Sequence, residues 1–313
     1  MQVLFLDSVH PILEEALTAN GFTCHHDHTG SYSTIKDKIG LYQGLVVRSR
    51  IPIDAALLEQ GQQLKWIARS GSGLENIDLA SAKMQGIEVY SSPEGNSTAV
   101  GEHAIGMLLM LFNKLHTANA QVKSGTWNRE QNRGIELAGL TVGILGYGHM
   151  GRSFAAKLQG FGCRVLAYDK YVTLQTDQHV EASSRAELMA GSDVVSIHLP
   201  LSEETKHCIN SGFIKGMGKP FFLINTARGQ HVDTAALVQG LQSGKVRGAC
   251  LDVLEYEKRS LEGLDGHDLP STFRALCESE KVVLSPHVAG WTAESYIKLS
   301  SVLAQKILGQ HTA

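Results

Sequence analysis

The sequence predicts an α/β protein built from two doubly wound parallel-sheet domains, Rossmann-like and flavodoxin-like. Three observations carry this: short apolar runs alternate with helical stretches, one long helical segment interrupts the alternation, and a glycine-rich turn opens the second series. A chain of 313 residues exceeds one ordinary core and suits two domains. A content of 43% hydrophobic and 19% charged residues, with 32 glycines and 7 prolines, is that of a globular chain rather than a disordered or fibrous one.

The elements follow in order. The runs "VLFL" (3–6), "GLVV" (44–47), "KWIA" (65–68) and "IEVY" (87–90) recur at βα spacing and read as strands of a first parallel sheet. From 97 to about 124, apolar residues recur at helical spacing as far as Gly125, so the spacing predicts one long helix leaving the first domain. The runs "VGIL" (142–145), "RVLAY" (164–168), "DVVSIHL" (193–199), "FFLIN" (221–225), "GACLDV" (248–253) and "VVLS" (282–285) then alternate with helical stretches such as 184–190 and 234–242. They describe a second doubly wound sheet. The amphipathic segment 293–308 is expected to fold back on the first domain. Residues 99–288 would then be a domain inserted into one made of 1–98 and 289–313.

Several function classes are disfavoured. A formal net charge of -3 with no basic tract argues against a nucleic-acid partner. Five cysteines without a CxxC pair fit neither a disulfide framework nor a zinc ribbon; they read as small buried hydrophobes in a reducing cytoplasm. The opening "MQVLFLDSVH" breaks its apolar run at Asp7 and reads as a strand rather than a signal peptide. The apolar run 104–112 is far shorter than the roughly 20 residues a bilayer requires, so no membrane association is expected. "CHHDH" (24–28) has metal-type residues, but neighbours on a strand point to opposite faces and no metal site is expected.

In "TVGILGYGHMGRSF" (141–154), Gly146, Gly148 and Gly151 form GxGxxG between a strand and a helix, the context that makes this motif a dinucleotide cradle. Gly146 permits the tight turn, Gly148 lets backbone approach a pyrophosphate, and Gly151 lets the helix pack on the strand. The free N–H groups of the helix start, around His149 and Met150, face the phosphates. The next strand ends at Asp169, 18 positions after Gly151, where a carboxylate accepts from ribose hydroxyls and repels a 2′-phosphate. NAD is therefore expected over NADP, with Lys170 weakening the preference.

Hydride transfer to a 2-keto acid needs a cation to hold the carboxylate and an acid to protonate the forming alkoxide, and Arg and His are the natural pair. Arg228 follows the strand "FFLIN", His287 follows "VVLS", and Glu255 and Glu257 follow "CLDV". All sit at strand carboxyl ends, where open α/β sheets bind ligands. A carboxylate bonded to an imidazole fixes its orientation and favours its protonated form.

In this order behind GxGxxG, the pieces "NTARG", "LDVLEYE" and "PHVAG" resemble the D-isomer-specific 2-hydroxyacid dehydrogenase family over nearly the whole chain. The resemblance implies NAD as cofactor, Arg228 as substrate-binding, His287 as general acid in reduction, and Glu257 as its tuning carboxylate. The resemblance favours Glu257 over Glu255, since Glu257 falls 29 positions after Arg228, as the family pattern implies. It also implies His198, Thr226 and Asp252 near the cofactor, while His103 is expected to be structural. Two departures stand out: Lys258 occupies the position of a usual Pro, and 29 residues separate Glu257 from His287. The stretch 259–278 accordingly reads as an insertion, a lid or a dimer contact.

The first domain looks most like the branch acting on 3-phosphoglycerate, on "VVRS" (Arg48), "ARSGSGLENID" (Arg69) and "SPEGNS" (Asn96). By that likeness the N–H groups of Ser72 and Gly73 bind a carboxylate, and Arg48 and Arg69 bind a phosphate, with interdomain or surface salt bridges as the alternative for each arginine. The same likeness implies a homodimer, and without the regulatory C-terminal extension of some members, no serine feedback. The alternatives are a reductase of glyoxylate, hydroxypyruvate or another 2-keto acid, and an NAD-sensing corepressor-like binding protein. The intact Arg, Glu and His set counts against the latter.

Overall fold

Apolar runs that alternate with helices pair as parallel strands, because each helix returns the chain to the same end of the sheet. The computed structural model describes residues 1–257 and 269–311. It divides into two compact units, one of Met1–Ser97 with the segment from Trp291 onward, the other of 98–257 with 269–290.

The first unit carries β1 (Gln2–Phe5), β2 (Thr23–His26), β3 (Gly44–Val47), β4 (Trp66–Arg69) and β5 (Glu88–Ser91) in the order β2-β1-β3-β4-β5, all parallel. This is the flavodoxin order. Side chains alternate across the sheet: Leu4, Leu45 and Ile67 enter one core, while Val3, Val46 and Trp66 enter the other. The helix Ala293–His311 closes that second core with Leu303 and Ile307, fully buried, so the C-terminal segment belongs to the first unit.

The second unit carries β6 (Thr141–Leu145), β7 (Arg164–Tyr168), β8 (Glu181–Ala182), β9 (Val194–Ile197), β10 (Phe221–Asn225), β11 (Val246–Leu251) and β12 (Val282–Leu284). Their order is β12-β11-β10-β9-β6-β7-β8, so the winding reverses between β6 and β9. Ligands of doubly wound sheets bind at that reversal, beyond the strand carboxyl ends. The edge strand β8 was not expected from the sequence: two exposed residues, one charged, make no apolar run.

Three expectations are corrected. The single long helix is two, Pro93–Phe112 and Leu115–Lys123, because Lys114 takes a left-handed φ of 50° and the Phe112 carbonyl accepts the N–H of Ile135 instead of continuing the helix. Its start at Pro93 suits a residue with no N–H to lose in a first turn. The stretch 259–278 is not wholly an insertion. Residues 259–268 lie outside the described residues, but Ser271–Glu278 is the crossover helix that parallel β11 and β12 require, with Leu276 buried beside Leu237 and Leu241. Of the cysteines, only Cys250 is buried, and Cys277 is exposed. Among the described residues, no helix is long and apolar enough to cross a membrane, and no cluster of His, Cys, Asp and Glu could hold a metal ion.

Candidate active site

The glycine turn lies at the reversal. Gly146 ends β6 with φ +91°, and a Cβ there would meet the His198 carbonyl oxygen at 2.5 Å. A side chain at Gly151 would drive into the Gly146 carbonyl, so the helix His149–Lys157 sits on the turn itself. Gly148 has open space around it. His149 and Met150 open the helix, where N–H groups lack intrahelical acceptors. The Asp169 carboxylate accepts the N–H of Tyr147 (2.9 Å) on one oxygen and those of Tyr171 (2.9 Å) and Val172 (3.1 Å) on the other, which ties the end of β7 to the glycine turn. Lys170 is drawn to Glu204, away from this carboxylate. A cavity of about 390 Å³ lined by Tyr168, Asp169, Tyr171, Leu174, Ser183 and Glu187 adjoins it.

His198 follows β9. Its Nε2 lies 2.8 Å from Ser196 Oγ and its ring packs 5.3 Å from that of Phe154. Loss of solvation pushes its pKa down to about 3, so it stays neutral. Thr226, after β10, is buried and its Oγ1 has no partner among the described residues. A buried hydroxyl without a partner is costly unless a ligand or water completes it.

The neighbouring strands β10, β11 and β12 deliver the remaining residues. Arg228 follows β10 with one guanidinium nitrogen on the Ala227 carbonyl at 2.6 Å. After β11, Glu257 accepts the Leu254 N–H on Oε1 (2.6 Å), and its Oε2 lies 2.6 Å from His287 Nδ1. Glu255 turns elsewhere, to His207 Nε2 (2.7 Å) and to the N–H (2.6 Å) and hydroxyl of Thr234. A Cβ at Gly229 would collide with the Leu254 main chain, so the loop carrying Arg228 and the loop carrying Glu257 lie backbone to backbone. His287 itself holds a left-handed φ of 55°.

Asp252 is 1% exposed and faces the 285–289 loop. Its carboxylate accepts the Ser285 hydroxyl (2.6 Å) and the N–H groups of Val288 (2.9 Å) and Ala289 (2.8 Å), and His103 Nε2 stands 3.5 Å away. Burial alone would raise its pKa, but the hydrogen bonds from His103, Ser285, Ala289 and Val288 hold it below the ordinary carboxylate value.

In the first unit, Arg48 follows β3 and Arg69 ends β4, with Val47 and Arg69 in register, so both arginines stand at adjacent strand ends. The Arg48 guanidinium lies 4.2 Å over the Trp291 ring of the same unit. Arg69 packs its guanidinium against Gly71. Ser72 and Gly73 lie in the loop after β4, and Ser72 donates its hydroxyl to Asn96 at 2.7 Å. In "CHHDH", His26 meets Glu14 (3.0 Å) and His28 (3.3 Å) on the exposed edge.

Comparison with known proteins decides the family. Residues 105–289 match the family model of the D-isomer specific 2-hydroxyacid dehydrogenase, NAD binding domain. The chain belongs to that family. It is 34% identical to D-3-phosphoglycerate dehydrogenase of Archaeoglobus fulgidus, covering 95% of this chain and 55% of the relative. It is 37% identical to hydroxypyruvate reductase of Thermotoga maritima, covering 84% of this chain and 83% of that one. The fold matches D-lactate dehydrogenase from Aquifex aeolicus, solved with NAD and lactic acid, with a TM-score of 0.83 and 28% identity over 100% of this chain and 96% of that chain. The chain spans about half the length of the curated phosphoglycerate dehydrogenases it matches.

As a member of this NAD-binding family, the second unit offers donors and space that fit the dinucleotide: the open Gly148, the helix start at His149, the Asp169 end of β7, and the unsatisfied Thr226 hydroxyl. Sequence reasoning missed Ser285, Trp291 and Gly229. Ser285 and Trp291 flank "PHVAG" without a motif signal of their own, and Gly229 stood in plain view in "ARG" but its reason is a contact with the loop after the next strand, one crossover away in the chain.

Proposed function

We propose that the chain is an NAD-dependent oxidoreductase that interconverts a small D-2-hydroxyacid and its 2-keto acid. The observation that carries this reading is the 2.6 Å contact between Glu257 and His287, at the ends of neighbouring strands that also present Arg228. The chemistry that NAD(H) would supply, held at the glycine turn, is that of a hydride acceptor or donor for the substrate C2. Arg228 holds the substrate carboxylate in a charge-assisted fork and polarises the carbonyl. Because Nδ1 of His287 is engaged by Glu257, Nε2 is the nitrogen that gives the proton in reduction and takes it in oxidation. Glu257 fixes the ring and stabilises its protonated form, as an orienting carboxylate does in other acid–base pairs. Gly146, Gly148, Gly151, His149 and Met150 hold the pyrophosphate, and Asp169 selects a free 2′-hydroxyl, with Lys170 neutralised by Glu204. His198, Thr226 and Asp252 complete the cofactor side.

For the substrate we favour 3-phosphoglycerate and its keto acid. Arg48 and Arg69 at adjacent strand ends supply two guanidiniums for a phosphate, and Ser72, Gly73 and Asn96 supply donors for a carboxylate. A second reading, reduction of hydroxypyruvate or glyoxylate, is favoured by the likeness to a hydroxypyruvate reductase over most of that protein's length. A homodimer is also part of this proposal: the helix Leu115–Lys123 buries none of its residues, and Trp127 is 79% exposed beside it in the chain.

NADH oxidation with 3-phosphohydroxypyruvate, hydroxypyruvate, glyoxylate and pyruvate side by side tests the reading. Preference for the phosphorylated acid supports the first substrate, and equal or better rates without phosphate support the second. Inactivity on all four would sink the dehydrogenase reading and restore a binding role for NAD alone.

A further inference from the structure

The loop that carries His287 is held from a helix that no catalytic motif includes. Ser285 gives its hydroxyl proton to Asp252 Oδ1 at 2.6 Å, so its oxygen is an acceptor toward His103 Nε2 at 2.9 Å. Met107, one turn further along the same helix, places its sulfur 3.6 Å from that oxygen, the weaker competitor for the proton. Asp252 in turn accepts the N–H groups of Val288 and Ala289 on its carboxylate and that of His287 on its main-chain oxygen at 2.8 Å. Every backbone donor from 287 to 289 therefore reaches Asp252, that of His287 shared with the Ser285 carbonyl at 3.1 Å, around a His287 whose left-handed φ persists only where its surroundings over-determine it.

We propose that His103 is a positioning residue for His287: as the donor to Ser285 it orients that hydroxyl onto Asp252 and so sets the 285–289 loop in which the imidazole meets Glu257. The proposal rests on the dehydrogenase reading above. Removing the donor leaves Ser285 free to turn toward Met107 and leaves Asp252 one partner short, which loosens the loop without touching the cofactor turn.

The test compares His103→Leu with His103→Gln, whose amide nitrogen reaches the place of Nε2, using whichever 2-keto acid the wild type turns over. His103→Leu lowers kcat by about 10- to 100-fold, the scale expected when a reacting group is misplaced by up to about 1 Å, with a much smaller change in NADH affinity. His103→Gln recovers to within a few-fold of wild type. Wild-type kcat in the Leu variant, failure of Gln to rescue, or a parallel loss of NADH affinity would each overturn the positioning role. Inactivity of the wild type would sink the functional reading instead. In that event the ring resonances of His287 decide: the inference requires them to shift in His103→Leu and not in His103→Gln, and unchanged resonances in both overturn it.

Discussion

Glu257 and His287 meet at 2.6 Å, Oε2 to Nδ1, while the other Glu257 oxygen accepts the Leu254 N–H at 2.6 Å. Both oxygens are thus engaged, and the carboxylate has one way to face the ring. Two residues earlier in the chain, Glu255 binds His207 and Thr234 and serves the start of the helix Thr234–Ser243.

The two glutamates should therefore separate cleanly. Glu257→Gln is expected to cost about 100-fold or more in kcat, the usual scale of acid–base assistance. Glu255→Ala keeps kcat and loses about 1–3 kcal/mol of stability, the cost of leaving the buried Thr234 donors unmatched. His287→Ala abolishes turnover with NADH binding intact. Steady-state kinetics, NADH titration and thermal melting on the three variants check this; a large kcat loss in Glu255→Ala would move the role.

The glycines divide the same way. Gly148→Ala meets open space and should melt like the wild type, yet its methyl occupies the ground a pyrophosphate needs, so NADH affinity falls. Gly151→Ala forces the helix off the Gly146 carbonyl and is expected to lower the melting temperature as well. Equal NADH binding in Gly148→Ala and wild type would remove the pyrophosphate from this turn.

Asp252 sets an acid limit. Its carboxyl is held below the ordinary carboxylate value, so the unfolded chain binds this proton more readily. Its contribution is complete above that ordinary value and is lost as pH falls through the lower folded one. Asp252→Asn should cost about 2–3 kcal/mol near neutrality, as for hydrogen bonds to a charged group, with the gap to wild type closing in strong acid. Urea unfolding of both proteins from pH 7 down to pH 2 measures it, and a gap that stays constant would contradict the assignment.

Trp291 bears on the substrate. The ring over Arg48 is 54% exposed, and such a contact is worth about 0.5–1 kcal/mol. If Arg48 reads a phosphate, Trp291→Ala raises KM for 3-phosphohydroxypyruvate by a few-fold and leaves that for glyoxylate unchanged, while Arg48→Ala does so more strongly. Equal effects on both acids would place Arg48 at the common carboxylate or in a structural role.

Much was legible because it is local. Val142 to Leu145 are a buried strand by composition, Gly146 follows it in a conformation that favours glycine, and Asp169 falls directly after the end of β7 by strand length alone. The break at Lys114 was not legible, since side-chain periodicity does not register one left-handed residue, nor was β8, whose two residues carry no apolar pattern. The helix Ser271–Glu278 looked like an addition until β11 and β12 were seen to be parallel neighbours in need of a crossover.

By itself, then, the sequence determined the two sheets, the glycine turn at the winding reversal, and the candidates Arg228, Glu255, Glu257 and His287. Only the tertiary structure brought Glu257 rather than Glu255 to His287, covered Arg48 with Trp291, and tied His103 through Ser285 to Asp252. Those relations join residues 30 to 243 positions apart, and hydrogen bonds of under 3 Å, like the contact of a guanidinium with a ring, depend on how strand ends are set by the sheet and on helices packed against it. Local spacing encodes neither.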